Sequence, residues 1–136
     1  MHLRFQKFTL KHYPAYKTWF QNKALIKALG DADEEWLNHV ITQTDGVEYS
    51  VLLKEELGGV VGIQFPPPGT DLGYAITNIA VSPARNDAGI GSAILSELPK
   101  ALQLTNEQHL IAYVDPPNLP AQAFFAKNEW QLVESD

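Results

Sequence analysis

Apolar residues alternate with polar residues at the start of the chain and then recur at helical spacing. Leu3 and Phe5 alternate with the polar residues Arg4 and Gln6, which predicts a short strand over residues 2 to 8. Over residues 14 to 29 the apolar side chains recur every three or four positions, which predicts one helix that ends before Gly30. The pattern therefore changes from a strand to a helix near the start of the chain.

The next part of the chain predicts a second helix followed by two strands. Asp31 and Glu34 have the spacing of a capping box, with Asp31 as the capping residue of this helix. Apolar runs then predict strands over residues 49 to 54 and 59 to 65. The glycine-rich segment 57 to 59 lies between them and is expected to form the hairpin loop.

The second half of the chain predicts alternating strands and helices. The prolines at positions 66 to 68 cannot continue a strand ladder, so residues 72 to 81 are expected to form a separate, central strand. The remaining predicted elements are a helix over 89 to 102, a strand over 109 to 115, a helix over 119 to 128 and a strand over 130 to 133. An early antiparallel part followed by a β-α-β crossover predicts an α/β fold with one mixed sheet, not a doubly wound parallel sheet.

Length and composition predict one globular domain and exclude several kinds of site. The 136 residues suffice for a single core, so we expect one domain over residues 1–136. The formal net charge is -6 and the chain has no run of Lys or Arg, which argues against nucleic acid as a partner. The chain has no Cys, which excludes disulfides, Cys-ligated zinc and a thiol nucleophile.

Signals for export, membrane insertion and metal binding are absent from the sequence. No apolar run has the length of a signal peptide core or of a membrane span, so we expect a cytoplasmic protein without a membrane partner. The four histidines are not clustered with further ligands, so we expect no metal site.

Residues 79 to 95 pass from a strand through a tight loop into a helix, which is the layout of an anion-binding site. The first backbone N–H groups of a helix lack partners within it and the dipole is positive there, so a pyrophosphate fits at this position. Gly89 and Gly91 let the main chain approach a phosphate closely, although two glycines alone are weak evidence. A Rossmann site is excluded because the third glycine and the acidic residue after a following strand are missing.

Two segments resemble motifs of the GNAT superfamily of N-acetyltransferases. The strand Ile79-Ala80-Val81, the Val-x-Pro step and the loop that ends in Gly-Ile-Gly-Ser-Ala-Ile-Leu resemble its acyl-CoA-binding motif. Residues 118 to 130 resemble its Asn-x-x-Ala-x-x-Phe-Tyr-x-Lys-x-Gly-Phe segment. The resemblance is strong over residues 72 to 130 and implies a mixed, mostly antiparallel, twisted sheet of about six strands flanked by about four helices.

The resemblance also implies which residues bind acetyl-CoA. Backbone groups of Ile79, Ala80 and Val81 would pair with the pantetheine arm, and Asn118 would bind the pantetheine or acetyl end. Asn is also a preferred helix N-cap, and both roles are compatible at this position. The backbone amides that would surround the pyrophosphate belong to Asp87, Ala88, Gly89, Ile90, Gly91 and Ser92.

Three positions depart from the family pattern. Asn86 stands where the family usually has Arg or Gln, and Asp87 stands where Gly is common, so we expect a reduced affinity for the donor. Phe125 occupies the place of a Tyr that is often the general acid of the family. Loss of this acid should cost about 10²-fold in rate, and direct attack on the thioester stays feasible because a thiolate leaves readily.

The general base of the family has no clear counterpart in this chain. Polar residues at the strand ends that would face the acceptor are Glu48, Asp71, Tyr74, Tyr113 and Asp115. We favour Tyr113 or Asp115 as the catalytic residue, because these two flank the position where the thioester is expected.

The sequence favours an N-acetyltransferase that transfers an acetyl group from acetyl-CoA to a primary amine of a small molecule or peptide by direct attack in a ternary complex. The amine would lie against the N-terminal helices, which offer Tyr13, Tyr16, Trp19, Trp36 and His39. Two alternatives are a non-catalytic acyl-CoA sensor and an interaction module on the same fold. The chain ends soon after Trp130, so an open sheet edge could pair in a homodimer.

Overall fold

A computed structural model describes residues 2–21, 23–70, 72–85 and 89–133. Within these ranges the strands are β1 (Arg4–Lys7), β2 (Gly46–Leu53), β3 (Glu56–Gln64), β4 (Tyr74–Val81) and β5 (Leu110–Ala112). The helices are α1 (Tyr13–Trp19), α2 (Lys23–Leu29), α3 (Glu34–Thr42), α4 (Ile90–Ala101) and α5 (Leu119–Lys127), and a 3-10 turn lies at Pro83–Arg85.

These strands form one sheet in the order β1-β2-β3-β4-β5. The first four strands pair antiparallel, each with the next. The fifth strand pairs in parallel with β4, from Tyr74 opposite Leu110 to Ile76 opposite Ala112, and α4 connects the two strands. The prediction of an α/β fold with a mixed, mostly antiparallel sheet is confirmed.

Helices cover both faces of the sheet. Because successive residues of a strand point to opposite faces, Val61 packs under α4 with Ile94 and Leu98, whereas Val60 packs against the N-terminal helices. On that second face the ring of Tyr16 meets several other rings edge-to-face or tilted, and such pairs contribute about 0.5–1.5 kcal/mol each beyond area burial. The aromatic cluster therefore holds α1 and α3 against the sheet.

The single helix predicted over residues 14 to 29 is wrong, because the structure has two helices there. The first ends at Trp19, where the N–H of Phe20 bonds to the carbonyl of Lys17 and the N–H of Gln21 bonds to that of Thr18. Trp19 and Phe20 are both buried, and both rings contact Tyr16. We attribute the break to this packing of two adjacent aromatic side chains, which the helical spacing by itself did not indicate.

The predicted capping residue and hairpin loop are also wrong. The side chain of Asp33, not of Asp31, accepts a hydrogen bond from the N–H of Trp36 at 2.9 Å and caps α3. The β2–β3 turn lies at Lys54 and Glu55, which both have positive φ, while the glycines that follow belong to β3. A Cβ at Gly59 would lie 2.8 Å from Ile94, so this glycine permits close packing with α4 and does not form the turn.

Three further predictions concern the strands of the sheet. The strand expected over residues 130 to 133 is absent from the described chain, which has five strands where about six were expected. The strand over residues 72 to 81 begins at Tyr74 and lies inside the sheet, but β3 takes the central position. The predicted strand over 109 to 115 is confined to Leu110–Ala112, the three positions that pair with β4.

Candidate functional site

The sheet opens between β4 and β5. Their pairing ends at Ile76 and Ala112, while β4 continues to Val81 against β3. The register places Ile76 opposite Ile63 and Asn78 opposite Gly62, so Thr77 is an extra residue that forms a β-bulge. A bulge bends its strand, and the β5 side of residues 79 to 81 is therefore an unpaired backbone edge within the described chain.

The start of α4 lies just beyond the end of this open edge. Gly89 is the N-cap, with φ 76° and ψ 15°, and α4 begins at Ile90. A left-handed backbone at this position favours glycine. The first N–H groups of α4 have no partner within the helix and point toward its N-terminal end. Gly89, Ile90, Gly91 and Ser92 thus lie where the sequence predicted a pyrophosphate site. The predictions for Asn86, Asp87 and Ala88 fall outside the described residues.

Gly91 and Asn118 have structural partners. A Cβ at Gly91 would lie 3.2 and 3.3 Å from ring atoms of Phe124, so this glycine lets α5 pack closely on α4. The Oδ1 of Asn118 accepts a hydrogen bond from the N–H of Ala121 at 3.2 Å and caps α5. Phe125 stands in the place of the family tyrosine. Its ring packs on Trp130, which follows α5, at a ring-centroid distance of 4.7 Å.

Most of the candidate bases lie apart from one another. Tyr113 follows β5 with 81% of its surface exposed, and Asp115 is exposed as well. The hydroxyl of Tyr74 accepts a 3.4 Å hydrogen bond from Gln108, and the Tyr74 ring contacts Phe65. Asp71 falls outside the described residues. The structure therefore does not gather Tyr74, Tyr113 and Asp115 into one site.

Glu48 lies at a cavity of about 410 Å³ between the N-terminal helices and the sheet, here called the Glu48 cavity. The residue is only 3% exposed although it lines this cavity. Its neighbours on the wall are the bulge residue Thr77 and Asn78, which connect the cavity to the open edge of β4. The cavity also has aromatic and acidic walls: Tyr16, Phe20, Trp36, Asp31 and Asp45.

A line of hydrogen bonds holds the carboxylate of Glu48. The Nδ2 of Asn78 donates to Oε2 of Glu48 at 2.6 Å, and the hydroxyl of Thr77 donates to Oδ1 of Asn78 at 3.2 Å. Glu48, Gly62 and Asn78 are directly opposite one another on three adjacent strands. Gly62 is required between them, because a Cβ there would collide with the side-chain oxygens of Asn78, Glu48 and Thr77.

A second buried pair fixes the helix above Glu48. The Nδ1 of His12 and the hydroxyl of Ser50 are 2.9 Å apart, and both residues are buried. Ser50 follows Glu48 by two positions on β2 and so points to the same face. Burial, together with Lys11 and Arg4, lowers the pKa of His12, which favours a neutral ring. His12 therefore anchors the start of α1 over the Glu48 cavity.

Burial raises the pKa of Glu48 to about 7, and the hydrogen bond from Asn78 opposes this change. A carboxylate of this pKa can take up and release a proton near neutral pH, which is the requirement for a general base. Burial, followed by the charge of Glu48, also raises the pKa of Tyr16, which keeps the phenol protonated. The arrangement can accept a proton from a cationic group in the cavity.

The same burial predicts a dependence of stability on pH. The folded-state pKa of about 7 lies above the ordinary value of 4.5, so the stabilising effect of the proton is complete below pH 4.5 and is lost as pH rises through 7. At about 1.4 kcal/mol per pKa unit, the ionised carboxylate costs roughly 3 kcal/mol at pH 8. Glu48→Gln should therefore raise the free energy of unfolding by roughly 1–3 kcal/mol at pH 8 and by little at pH 5, as measured by urea denaturation. Equal effects at both pH values would contradict this expectation.

The site residues that sequence reasoning missed are Asn78, Thr77 and Gly62. A weak signal was available, because Thr77 and Asn78 interrupt an otherwise apolar strand. In the described ranges, no group of three His, Asp or Glu residues is placed to hold a metal ion. None of the described helices is long and apolar enough to cross a membrane.

A known protein family matches most of the chain. The sequence profile of the acetyltransferase (GNAT) family matches residues 10–130. No protein of curated function is similar enough in sequence to count as a relative.

Among solved structures, an aminoglycoside 6'-N-acetyltransferase from Acinetobacter baumannii is similar at a TM-score of 0.70 and 12% identity, over 99% of this chain and 95% of that one. A ribosomal-protein-alanine N-acetyltransferase from Brucella melitensis is similar at a TM-score of 0.74 and 14% identity, over 100% of this chain and 96% of that one. The Campylobacter jejuni N-acetyltransferase PseH, in complex with acetyl coenzyme A, is similar at a TM-score of 0.68 and 16% identity, over 99% of this chain and 92% of that one. At these identities the similarity establishes the fold.

Proposed function

Because this chain belongs to the acetyltransferase (GNAT) family, we propose that it transfers an acetyl group from acetyl-CoA to a primary amine of a small molecule or peptide. The observation that carries this proposal is the buried carboxylate of Glu48, which lines a cavity that reaches the bulge of β4. Donor and acceptor would meet at the bulge in a ternary complex, so that no acyl-enzyme is formed.

The donor would lie along the open edge of β4. Unpaired backbone groups of Ile79, Ala80 and Val81 would bind the pantetheine arm, and Asn118 at the start of α5 would bind its far end. The start of α4 would hold the pyrophosphate, since helix N-termini favour anions. The amides assigned to this part are those of Asp87, Ala88, Gly89, Ile90, Gly91 and Ser92.

The chemistry needs one proton acceptor and one polarising group. The amine nitrogen attacks the thioester carbonyl carbon, the C–N bond forms, and the C–S bond breaks to release CoA as a thiolate, which has an ordinary pKa near 8.5. Glu48 takes the proton of the cationic amine before the attack, and the thiolate takes the proton that the nitrogen loses as the C–S bond breaks. Backbone N–H groups at the edge of β4 stabilise the charge on the carbonyl oxygen. We place the base at Glu48 and not at Tyr113 or Asp115, because those two residues are exposed outside the Glu48 cavity.

Gly89→Asp tests the donor site. The variant puts a carboxylate at the N-cap of α4, where a Cβ has no neighbour within 4 Å, and Asp tolerates the left-handed backbone better than most residues. Repulsion of the pyrophosphate should weaken acetyl-CoA binding by at least about 10-fold, measured by calorimetric titration. Gly91 is less suitable for this test, because a side chain there would also collide with Phe124.

Gly89→Asn is the matched control, since it has the same shape and no charge. It should retain most of the affinity for acetyl-CoA. If both variants bind acetyl-CoA as well as the wild type does, the pyrophosphate does not lie at the start of α4. If the wild type binds no acetyl-CoA, the transferase proposal fails.

A second candidate function is a sensor that binds acyl-CoA without turnover. It is favoured by Phe125, which has no hydroxyl and packs on Trp130, so the acid used by many relatives is missing. The two functions differ in one measurement: release of free CoA thiol in the presence of a broad set of amines. The similar solved structures include enzymes named for an aminoglycoside and for a ribosomal protein, which supports testing both small and peptidyl amines.

A further inference from the structure

The charge of the Glu48 cavity indicates a class of acceptor. Three acidic residues line the cavity, Asp31, Asp45 and Glu48. The described lining contains neither Lys nor Arg, and His39 is its basic residue. Oε2 of Glu48 accepts a hydrogen bond from Asn78, whereas Oε1 has no hydrogen-bond partner within the described chain. A carboxylate that is 3% exposed and has an oxygen without a protein partner is suited to receive a donor from a ligand.

The two acids other than Glu48 differ in their partners. Asp31 forms an ion pair with Lys17 at 3.2 Å, so its charge is largely compensated. Asp45 forms no ion pair within the described residues, and its backbone is held in place because its carbonyl accepts a hydrogen bond from the N–H of Phe65 at 2.8 Å. Asp45 is exposed and therefore offers a negative charge without an ion-pair partner, within the described residues, on an anchored stretch of backbone.

A second negative charge is needed to hold the acceptor during the reaction. Once Glu48 has removed the proton from a simple monoamine, the amine is neutral, and none of the acids of the cavity holds it by charge. An amine with a second ammonium group stays cationic and can remain paired with Asp45 during the attack. Asp45 lies just before β2, three residues ahead of Glu48, and both residues line the cavity. Three residues of chain span at most roughly 10 Å between their Cα atoms, so the two nitrogens of such an amine would be separated by a short carbon chain.

The remaining walls suit the rest of such a molecule. Phe20, Trp36 and Tyr16 line the cavity and present aromatic surface to the carbon chain or to an ammonium group. A volume of about 410 Å³ is in the range of small-molecule sites. On the basis of the proposed acetyl transfer, we propose that the acceptor is a small diamine or polyamine, with the reacting nitrogen at Glu48 and a second cation at Asp45.

The test compares 1,5-diaminopentane with 1-aminopentane as acceptors for the full chain, with CoA thiol release as the readout. The diamine should have a kcat/KM at least about 10-fold above that of the monoamine. Asp45→Asn should raise KM for the diamine by about 10-fold, change kcat little, and leave the monoamine unaffected. Glu97→Gln is the control, because it removes the same charge from the exposed side of α4.

The possible results separate the proposed acceptor from the proposed transferase function. Equal kcat/KM values for the two amines, or an Asp45→Asn variant that keeps the diamine KM, would overturn the proposed acceptor while acetyl transfer stands. Acceptance of peptide amines alone would overturn it in the same way. Absence of turnover with every amine would instead reject the transferase function, and acetyl-CoA titration of the same sample would then show whether a donor site exists.

Discussion

Glu48→Gln is expected to lower kcat/KM for amine acetylation by about 10²- to 10⁴-fold, because it removes the proton acceptor and keeps the shape of the side chain. The carbonyl oxygen of Gln can still accept the hydrogen bond that Asn78 donates at 2.6 Å in the wild type. The affinity for acetyl-CoA should be unchanged, since the donor would lie along β4 and α4 and not at β2. Steady-state kinetics and donor titration on the same preparation separate the two effects.

The pH profile distinguishes a base from a merely structural carboxylate. With a pKa of about 7, Glu48 is protonated and inactive below this pH, so wild-type kcat/KM should fall as pH decreases from 8 to 6. The residual activity of Glu48→Gln should lack the inflection of this limb near pH 7 and follow only the fraction of neutral amine, which has an ordinary pKa near 10.4. A variant that keeps wild-type activity, or keeps this inflection, would show that another group removes the proton.

Gly62→Ala is expected to lower the same kcat/KM by at least about 10²-fold, although it adds a single methyl group, because a misplaced catalytic group is costly. The new Cβ would collide with the side-chain oxygens of Asn78, Glu48 and Thr77 together. The Asn78–Glu48 hydrogen bond must then lengthen or break, and the carboxylate moves away from the acceptor. Overpacking should also lower the free energy of unfolding by about 1–3 kcal/mol.

Gly58→Ala is the matched control for this substitution. It makes the same change in the same strand, but its Cβ would meet Leu53 at 2.8 Å and Ile90 at 3.7 Å, where methyl ends can rotate aside. We expect nearly full activity from this variant. A Gly62→Ala protein that folds and retains wild-type kcat/KM would show that the row of Glu48, Gly62 and Asn78 is not part of the catalytic arrangement.

Local sequence patterns predicted the elements around the candidate donor site. The strand that ends in Ile79-Ala80-Val81 and the start of α4 lie where the pattern predicted them, within one or two residues. Asn118 caps α5 as its residue type suggested. These features depend on neighbours a few residues apart, such as a glycine at a left-handed N-cap or an Asn three residues before the N–H it accepts from. The sequence carries such information directly.

The same local rules failed where distant residues decided the outcome. The glycines at 58 and 59 suggested a turn, but Gly59 is needed against Ile94 of α4, and the turn uses Lys54 and Glu55 at positive φ. Asp31 has the spacing of a cap, but it pairs with Lys17 of another helix. In each case a contact across the fold was stronger than the preference of the local segment.

Periodicity and short motifs were enough to predict the order of most elements, the mixed sheet and the start of the helix at the candidate donor site. The choice of Glu48 as the candidate base depends instead on contacts between distant parts of the chain. In the sequence Glu48 was one of five polar residues near strand ends. The register of β2, β3 and β4 places it beside Gly62 and Asn78, and the N-terminal helices cover it. Burial, which raises the pKa of Glu48, is a property of that assembly and of no local segment.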